Sequence, residues 1–172
     1  MKRRTTGVTL IELMVTIAIV AIIAAMAAPP LIAMRDQHRI RSAAEAVYSH
    51  LQFARTESIK QDRNLWVRSV PGTNWCIGIS NATGCDCNTA SSCRFGPAAN
   101  LVEHNIVSSD FVGISLATTQ ANIEINSRRG AVVTAGGTTI TLTGAGGYQA
   151  QVSTLPMGRV HLCGNMGRYP AC

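Results

Sequence analysis

One stretch of this sequence, residues 13–34, contains no charged side chain. At about 1.5 Å per residue, a helix of these 22 residues is long enough to cross the roughly 30 Å hydrocarbon core of a bilayer. Three basic residues, Lys2, Arg3 and Arg4, precede the stretch, and positive charge at this position marks the cytoplasmic end of an inserted helix. The sequence therefore predicts one membrane-spanning helix near the N-terminus, with the rest of the chain beyond the membrane.

The cysteines and the net charge constrain where the rest of the chain folds and what it binds. All six cysteines follow the apolar stretch, and an even number of cysteines beyond a membrane segment indicates an oxidising compartment such as a periplasm. Without Lys2, Arg3 and Arg4, the net charge of +6 falls to about +3. This excess of positive charge is too small to imply nucleic-acid binding by itself.

Two ordinary interpretations of the N-terminus leave one residue unexplained. A secretory signal peptide would be cut at Ala25-Met26-Ala27, and a simple anchor would not be cut at all. Neither accounts for Glu12, because a lone carboxylate costs about 2.5 kcal/mol or more near the bilayer centre and less near its surface. Glu12 is therefore a candidate functional residue that needs a partner.

Residues 2–14 resemble the class III leader and helix start of type IV pilins and type II secretion pseudopilins. The resemblance implies that a prepilin peptidase cuts after Gly7 and methylates the new N-terminus at Val8, where the family usually has phenylalanine. Glu12 then becomes the fifth mature residue and matches the family's glutamate. The free amine of one subunit would neutralise Glu12 of its neighbour in the low-dielectric filament core, which favours the correct axial register.

Beyond the apolar stretch, the pattern predicts a bend and then an amphipathic helix. Pro29 and Pro30 lie where pilin helices commonly carry proline, which removes a helical hydrogen bond and bends or locally melts the helix. His38 and His50 are expected to have solvated or half-packed roles on this helix. The helix is expected to end near Gln61, because apolar residues recur at spacings of three to five along one face, namely Ile40, Ala43, Ala44, Val47, Leu51, Ala54 and Ile59.

From residue 63 onward the sequence predicts β structure without βαβ alternation, which favours an antiparallel sheet. Strand candidates are residues 65–70, 75–79, 101–107, 123–125, 138–143, 149–153 and 159–162. The fold class is therefore α+β, with a long N-terminal transmembrane helix packed on a small antiparallel sheet, as in pilins. The expected organisation is a leader at 1–7, a transmembrane and polymerisation helix at 8–34, its amphipathic continuation at 35–62 and a β-rich head at 63–172.

The head resembles the GspH/FimT branch of the pilin-like family. The matching segments are residues 54–59, residues 75–78, and residues 158–163 followed by a terminal Cys172. The cysteine-bearing tail favours a FimU-like minor pilin, acting in the initiation of assembly or at the pilus tip, over the type II secretion pseudopilin GspH. The implied location is the bacterial inner membrane, crossed once, with the head in the periplasm. The implied partners are other major and minor pilins or pseudopilins, the prepilin peptidase and the assembly platform.

The cysteines are expected to form three disulfides. Cys163 and Cys172 bracket an eight-residue loop, and a bridge there would pin the C-terminus with about 2–3 kcal/mol. A direct bridge between Cys85 and Cys87 would be strained. The alternative for this loop is a metal site at Cys85-Asp86-Cys87, but zinc sites usually have two-residue spacers. The other four cysteines, Cys76, Cys85, Cys87 and Cys93, allow three pairings in all, and the sequence does not choose among them.

No pattern in the sequence predicts an enzyme, a cofactor or a bound metal. It contains no Gly-x-Ser-x-Gly segment and no pair of carboxylates at a catalytic spacing. Asn81-Ala82-Thr83 matches the glycosylation acceptor pattern, which occurs freely by chance.

Basic residues near the C-terminus raise the hypothesis of DNA binding. Some FimT-like minor pilins bind DNA during natural transformation through a Gly-Arg-x-Arg motif. Residues 158–161 resemble this motif, with Arg159 in place and His161 instead of the second arginine. Arg168, Arg128 and Arg129 would widen the patch, and its contacts to phosphate would be sensitive to salt and independent of DNA sequence. The alternative is that these arginines are simply solvated.

Overall fold

The computed structural model describes residues 7–134, 136–167 and 169–172, except for the side chains of residues 27–30. Within these residues, one long helix, α1 (Leu10–Lys60), precedes a series of short strands and a single 3-10 turn at Ser108–Asp110. The chain divides into two units, one ending at Arg35 and the other beginning at Asp36. The leader residues Lys2, Arg3 and Arg4 lie outside the described residues.

The strands of the second unit pair only in antiparallel fashion in the described part of the chain, as the sequence predicts. The strands are β1 (Leu65–Val70), β2 (Cys76–Ser80), β3 (Arg94–Phe95), β4 (Val102–Glu103), β5 (Asn105–Val107), β6 (Ile114–Thr118), β7 (Asn122–Ile125), β8 (Thr138–Gly144), β9 (Gln149–Thr154) and β10 (Val160–Gly164). They form two four-stranded sheets, ordered β5-β2-β1-β7 and β10-β9-β8-β6, and a two-stranded ribbon of β3 and β4. The predicted α+β class is confirmed, with two sheets where the sequence predicts one.

The first unit contains the apolar part of α1. Every side chain from residue 8 to residue 26 is exposed. Among the described residues, α1 is the one helix with the length and apolar character needed to cross a membrane, and its most apolar window has a mean hydropathy of 2.6. A helix that is apolar on all sides has no polar face to turn toward water, so lipid or other apolar helices are its natural surroundings.

The second unit has its core between α1 and the two sheets. Ile40, Ala43, Ala44, Val47, Leu51 and Ala54 are at most 1% exposed, as the helical period predicts. The expectation for Ile59 is wrong, because its side chain is 47% exposed and Ser58 is buried in its place. Continuing the 3.6-residue period from Ala54 leads to residue 58, so Ile59 lies beside the inner face.

The two sheets meet around the connection between β1 and β2. Gly72 and Leu116 exchange two backbone hydrogen bonds, of 2.8 and 3.0 Å, which joins this connection to β6. Trp75 is fully buried, and its indole Nε1 donates a 2.9 Å hydrogen bond to the carbonyl oxygen of Ile114. A buried tryptophan needs such a partner, and this one fixes the two sheets against each other.

Some strand predictions are wrong in the middle of the chain. The single strand expected at residues 101–107 is divided at His104 into β4, which pairs with β3, and β5, which pairs with β2. Strands β3 and β6 are absent from the prediction. β3 has only two residues, and its pairing with β4 depends on how the intervening loop is closed.

Candidate functional site: helix start, stapled loops and basic turns

The start of α1 is capped by the sequence around Glu12. The backbone N–H of Glu12 donates a 3.3 Å hydrogen bond to Oγ1 of Thr9, and the N–H of Leu13 donates to the Thr9 carbonyl oxygen at 3.2 Å. Thr9 followed three residues later by glutamate is the pattern of a capping box. The Glu12 side chain is exposed, and Gly7 and Val8 precede the cap. The predicted cut after Gly7 would therefore leave the helix cap intact.

Helix α1 continues through Pro29 and Pro30. The side chains of these two residues are not among the described ones. The bend expected at this position stays a prediction.

Three disulfides join the six cysteines: Cys76 with Cys87, Cys85 with Cys93, and Cys163 with Cys172. The first bridge joins Cys87 to Cys76 of β2, and the second joins Cys85 to Cys93 within the loop that follows β2. Because Cys85 and Cys87 are each joined to another cysteine, they offer no thiolate for the alternative metal site at Cys85-Asp86-Cys87. The hydroxyl of Thr89 and the N–H of Asn88 donate to the Asp86 carboxylate and lower its pKa.

Gly78 of β2 allows the disulfide-bonded loop to pack closely on the sheet. A Cβ on Gly78 of β2 would lie 2.8 Å from Cβ of Cys93 and 2.9 Å from Cβ of Cys87. The two disulfides therefore pack directly on the backbone at this position, which no larger residue allows without movement.

The Asn81 side chain closes the same loop. Its Nδ2 donates to the carbonyl oxygen of Gly96 at 2.8 Å, and its Oδ1 accepts from the N–H of Gly96 at 3.1 Å. A glycan on Nδ2 would disrupt this pair of hydrogen bonds. The geometry thus gives Asn81 a structural role in place of the glycosylation that the sequence pattern indicates.

The C-terminal loop closed by Cys163 and Cys172 is fastened to α1. The Tyr169 hydroxyl donates to Oε1 of Glu45 at 3.1 Å, and Nε of Arg41 lies 2.8 Å from the same oxygen. The hydrogen bond from Arg41 lowers the pKa of Glu45, and burial raises the pKa of Tyr169. Met166 of this loop is buried in the core, so the loop has both an apolar and a polar anchor.

Two turns that carry predicted arginines lie side by side. Arg128 and Arg129 are exposed on the turn that Gly130 closes, where its N–H donates to the Asn126 carbonyl oxygen at 2.8 Å. Arg159 is exposed on the next turn, between β9 and β10. A Cβ on Gly158 would collide with the carbonyl oxygen of Gly130, so the two turns are in backbone contact. The fold thus brings Arg128, Arg129 and Arg159 into one neighbourhood.

A fourth arginine of this neighbourhood escapes sequence reasoning. A Cβ on Gly130 would lie 2.7 Å from Cγ of Arg55, which places this helix residue beneath the two turns. Arg55 is not among the residues predicted for the basic patch, because this contact joins segments about 75 residues apart. His161 is exposed on β10, and Arg168 lies outside the described residues.

His50 and His104 form a pair that the sequence does not indicate. The expected solvated or half-packed role of His50 is wrong, because this residue is 1% exposed, whereas His38 is exposed. The Nδ1 atoms of His50 and His104 lie 2.9 Å apart. Burial, followed by the neighbouring His104, lowers the pKa of His50 to about 3, so this imidazole is uncharged at neutral pH.

Comparisons with known proteins agree on one family. A family profile described as "Type II transport protein GspH" matches residues 43–165, which is more than half of the chain. The chain belongs to the GspH family. A second profile, "Prokaryotic N-terminal methylation motif", matches residues 2–28 and covers the leader and the Glu12 region of this GspH-family protein. A search of curated proteins found no significant match.

Solved structures similar to this GspH-family chain share its fold. FimU, a type IV minor pilin of Pseudomonas aeruginosa, is 18% identical, with a TM-score of 0.53 over 75% of this chain and 91% of FimU. EpsH, a minor pseudopilin of the type 2 secretion system of Vibrio cholerae, is 15% identical, with a TM-score of 0.51 over 73% of this chain and 97% of EpsH. At these identities the likeness establishes the pilin fold of the GspH-family head.

Proposed function

We propose that this protein is a non-catalytic minor subunit of a type IV pilus, acting in the initiation of assembly or at the tip. Residues 8–34 would anchor it once in the inner membrane and later pack among the helices of other major and minor pilins. The head would lie in the periplasm, where its three disulfides are stable. The observation that carries the proposal is the exposed apolar part of α1, residues 10–26, behind a pilin-type leader.

The start of this helix supports the assembly role of Glu12. Thr9 caps the helix through the Glu12 backbone, so the Glu12 carboxylate remains exposed in the first turn. A negative charge in the first turn interacts favourably with the helix dipole but remains costly in an apolar filament core. The methylated amine of a neighbouring subunit, freed by the prepilin peptidase after Gly7, would neutralise it.

Substitutions at Glu12 test this proposal directly. Glu12→Gln keeps a side chain suited to the capping box and removes only the charge. Thr9→Ala weakens the cap and keeps the charge. We expect the glutamine variant to be processed by the peptidase but strongly depleted from sheared filaments, whereas Thr9→Ala enters them at near wild-type levels. Wild-type incorporation of Glu12→Gln, measured by quantitative immunoblotting against the membrane pool, would overturn the charge-pairing account.

A role as a pseudopilin in type II protein secretion is the alternative within the same family. The matching family profile carries a type II transport description, which favours it. We prefer the pilus because of the cysteine-bearing tail. In the structure this tail is the C-terminal loop that the Cys163–Cys172 disulfide closes and that Tyr169 joins to α1. Deleting the gene in the source bacterium separates the two roles. Loss of surface pili with normal secretion of exoproteins supports the pilus, and the reverse result supports the secretion system.

DNA binding is a second candidate function, because the contact between Gly130 and Gly158 groups three exposed arginines. The logarithm of the binding constant falls linearly with the logarithm of the salt concentration. Each phosphate contact that Arg128, Arg129 or Arg159 makes would steepen this slope by about 0.9. The test measures binding of the full chain, in detergent, to duplex DNA at several salt concentrations. We expect an Arg128→Ala, Arg159→Ala variant to lower both affinity and slope.

The matched control for this test is an Arg35→Ala, Arg39→Ala variant, which removes the same charge from exposed positions elsewhere. Equal losses in the two variants would mean that only net charge matters. Absence of binding by the wild type at low salt would exclude DNA as a ligand and leave the filament role untouched.

A further inference from the structure

We propose that His50 and His104 form a two-imidazole site for a divalent transition metal, for which Cu²⁺ is the best geometric match. The proposal is independent of the filament role. It depends on the position of the two rings, on the way the fold fixes them and on the space beside them.

The separation of the two nitrogens fits two ligands of one metal ion. The Nδ1 atoms of His50 and His104 lie 2.9 Å apart. With metal–nitrogen distances of about 2.0–2.1 Å, two ligands at a right angle are separated by about 2.9 Å, and two ligands at a tetrahedral angle by about 3.3 Å. Right angles between neighbouring ligands are typical of tetragonal Cu²⁺ and Ni²⁺ sites with nitrogen and oxygen ligands.

Burial holds the His50 ring in place, and stacking on Phe53 holds the ring of His104, which is exposed. His50 lies on the buried face of α1, and His104 lies between β4 and β5. The Phe53 ring stacks on the His104 ring with the centroids 4.6 Å apart. Ile106, two residues further on, pairs with Ile77 in the sheet. Ligands fixed in this way lose little conformational entropy on binding.

The space beside the pair leaves room for the other ligands of the ion. A cavity of about 430 Å³ is lined by Ala46, Ser49, His50, Phe53, His104 and Ile106. The two histidines are the only ionisable side chains in this lining. Water or a side chain from another protein would complete the coordination sphere without competing with a fixed positive charge.

Metal binding to this pair moves one proton within a ring and releases none. In the neutral pair one Nδ1 carries the hydrogen of an N–H···N bond and the other accepts it. Binding the metal uses both Nδ1 lone pairs, so this hydrogen moves to Nε2 of its own ring and each imidazole stays neutral. Nε2 of His50 is buried and has no hydrogen-bond partner in the described part of the chain. The lack of an outer partner limits the affinity, because such partners typically contribute 10–100-fold.

Titration of the full chain with Cu²⁺ tests the site. The protein is purified in detergent, stripped with chelator and titrated with a copper salt by calorimetry, with electron paramagnetic resonance on the one-equivalent sample. We expect one bound Cu²⁺ with nitrogen hyperfine structure from two imidazoles. His104→Gln keeps a side-chain amide that can either donate to or accept from Nδ1 of His50, and it removes the metal-binding nitrogen. This variant should bind Cu²⁺ at least tenfold more weakly while remaining folded.

Two other histidines provide matched controls. His38→Gln and His161→Gln change exposed histidines outside this cavity and should leave the affinity unchanged. A wild-type protein that binds no stoichiometric Cu²⁺ would show that the 2.9 Å contact is a hydrogen bond alone. Equal affinity of the wild type and His104→Gln, or loss of binding in either control, would also overturn the proposal.

Discussion

Replacing Gly78 with alanine adds a methyl group where the structure leaves no space. The new Cβ would lie 2.6 Å from Oδ1 of Asn105, 2.8 Å from Cβ of Cys93 and 2.9 Å from Cβ of Cys87. The two cysteines cannot rotate away, because each is held by a disulfide. Gly78 is also in the central part of β2, so the backbone is fixed by pairing on both sides.

The cost of this substitution follows from two opposing effects. Overpacking a closely packed region costs about 1–3 kcal/mol. The change from glycine to alanine also restricts the unfolded chain, which stabilises by about 0.4–1 kcal/mol. We therefore expect a net loss of about 1–2 kcal/mol in the free energy of unfolding. For a chain of this size, each kcal/mol corresponds to about 2–4 °C in the melting temperature.

Urea unfolding of the full chain in detergent, followed by tryptophan fluorescence, measures this loss. Gly167→Ala is the matched control, because a Cβ there would meet nothing within 4 Å. Thiol counting under denaturing conditions reports whether the disulfides have formed in each variant. The close packing of Gly78 is refuted if Gly78→Ala unfolds at the same urea concentration as the wild type with all three disulfides intact.

Three shorter predictions concern the loops. Serine at both Cys163 and Cys172 should lower the free energy of unfolding by about 2.6 kcal/mol, the loop-closure value for a separation of 9, and an unchanged urea midpoint would contradict it. Tyr169→Phe should cost less than about 1.5 kcal/mol. Because the pKa of Glu45 is lowered in the folded state, the stabilisation by the Tyr169 hydroxyl should be largest at neutral pH and should decrease as acid protonates Glu45. A difference in melting temperature that does not change with pH would exclude the Tyr169–Glu45 contact as its source. Gly158→Ala should separate the two arginine-bearing turns, seen as faster proteolysis after Arg128 or Arg159, and wild-type cleavage would argue against their contact.

The helix and its inner face were predictable because their signals are local. An uncharged stretch of bilayer length needs no tertiary contact to be recognised, and residues 40–54 follow the helical period closely. The error at Ile59 came from preferring an apolar residue to the correct phase of the helix. Hydrophobicity alone did not reveal that Ser58, whose hydroxyl donates to the Arg55 carbonyl oxygen, can be buried at low cost.

The rest of the candidate site depends on contacts between distant segments. Residue spacing disfavours only the pairing that contains a Cys85–Cys87 bridge, so it leaves open whether Cys76 pairs with Cys85 or with Cys87. His50 meets His104 across 54 residues, and nothing near either histidine in the sequence indicates the other. The grouping of Arg55 with the basic turns likewise follows from the backbone contact between Gly130 and Gly158. Such contacts depend on how the sheets and α1 pack together, so residue spacing alone does not predict them.

Mass spectrometry of the protein extracted from the membranes of the source bacterium tests the central claim most directly. Intact-mass and N-terminal analysis should find a chain that begins at N-methylated Val8, retains the whole of α1 and has lost six hydrogens to three disulfides. A soluble protein that begins at Ala28 would contradict the account, because the helix that we propose as the membrane and filament segment would then be a discarded signal peptide.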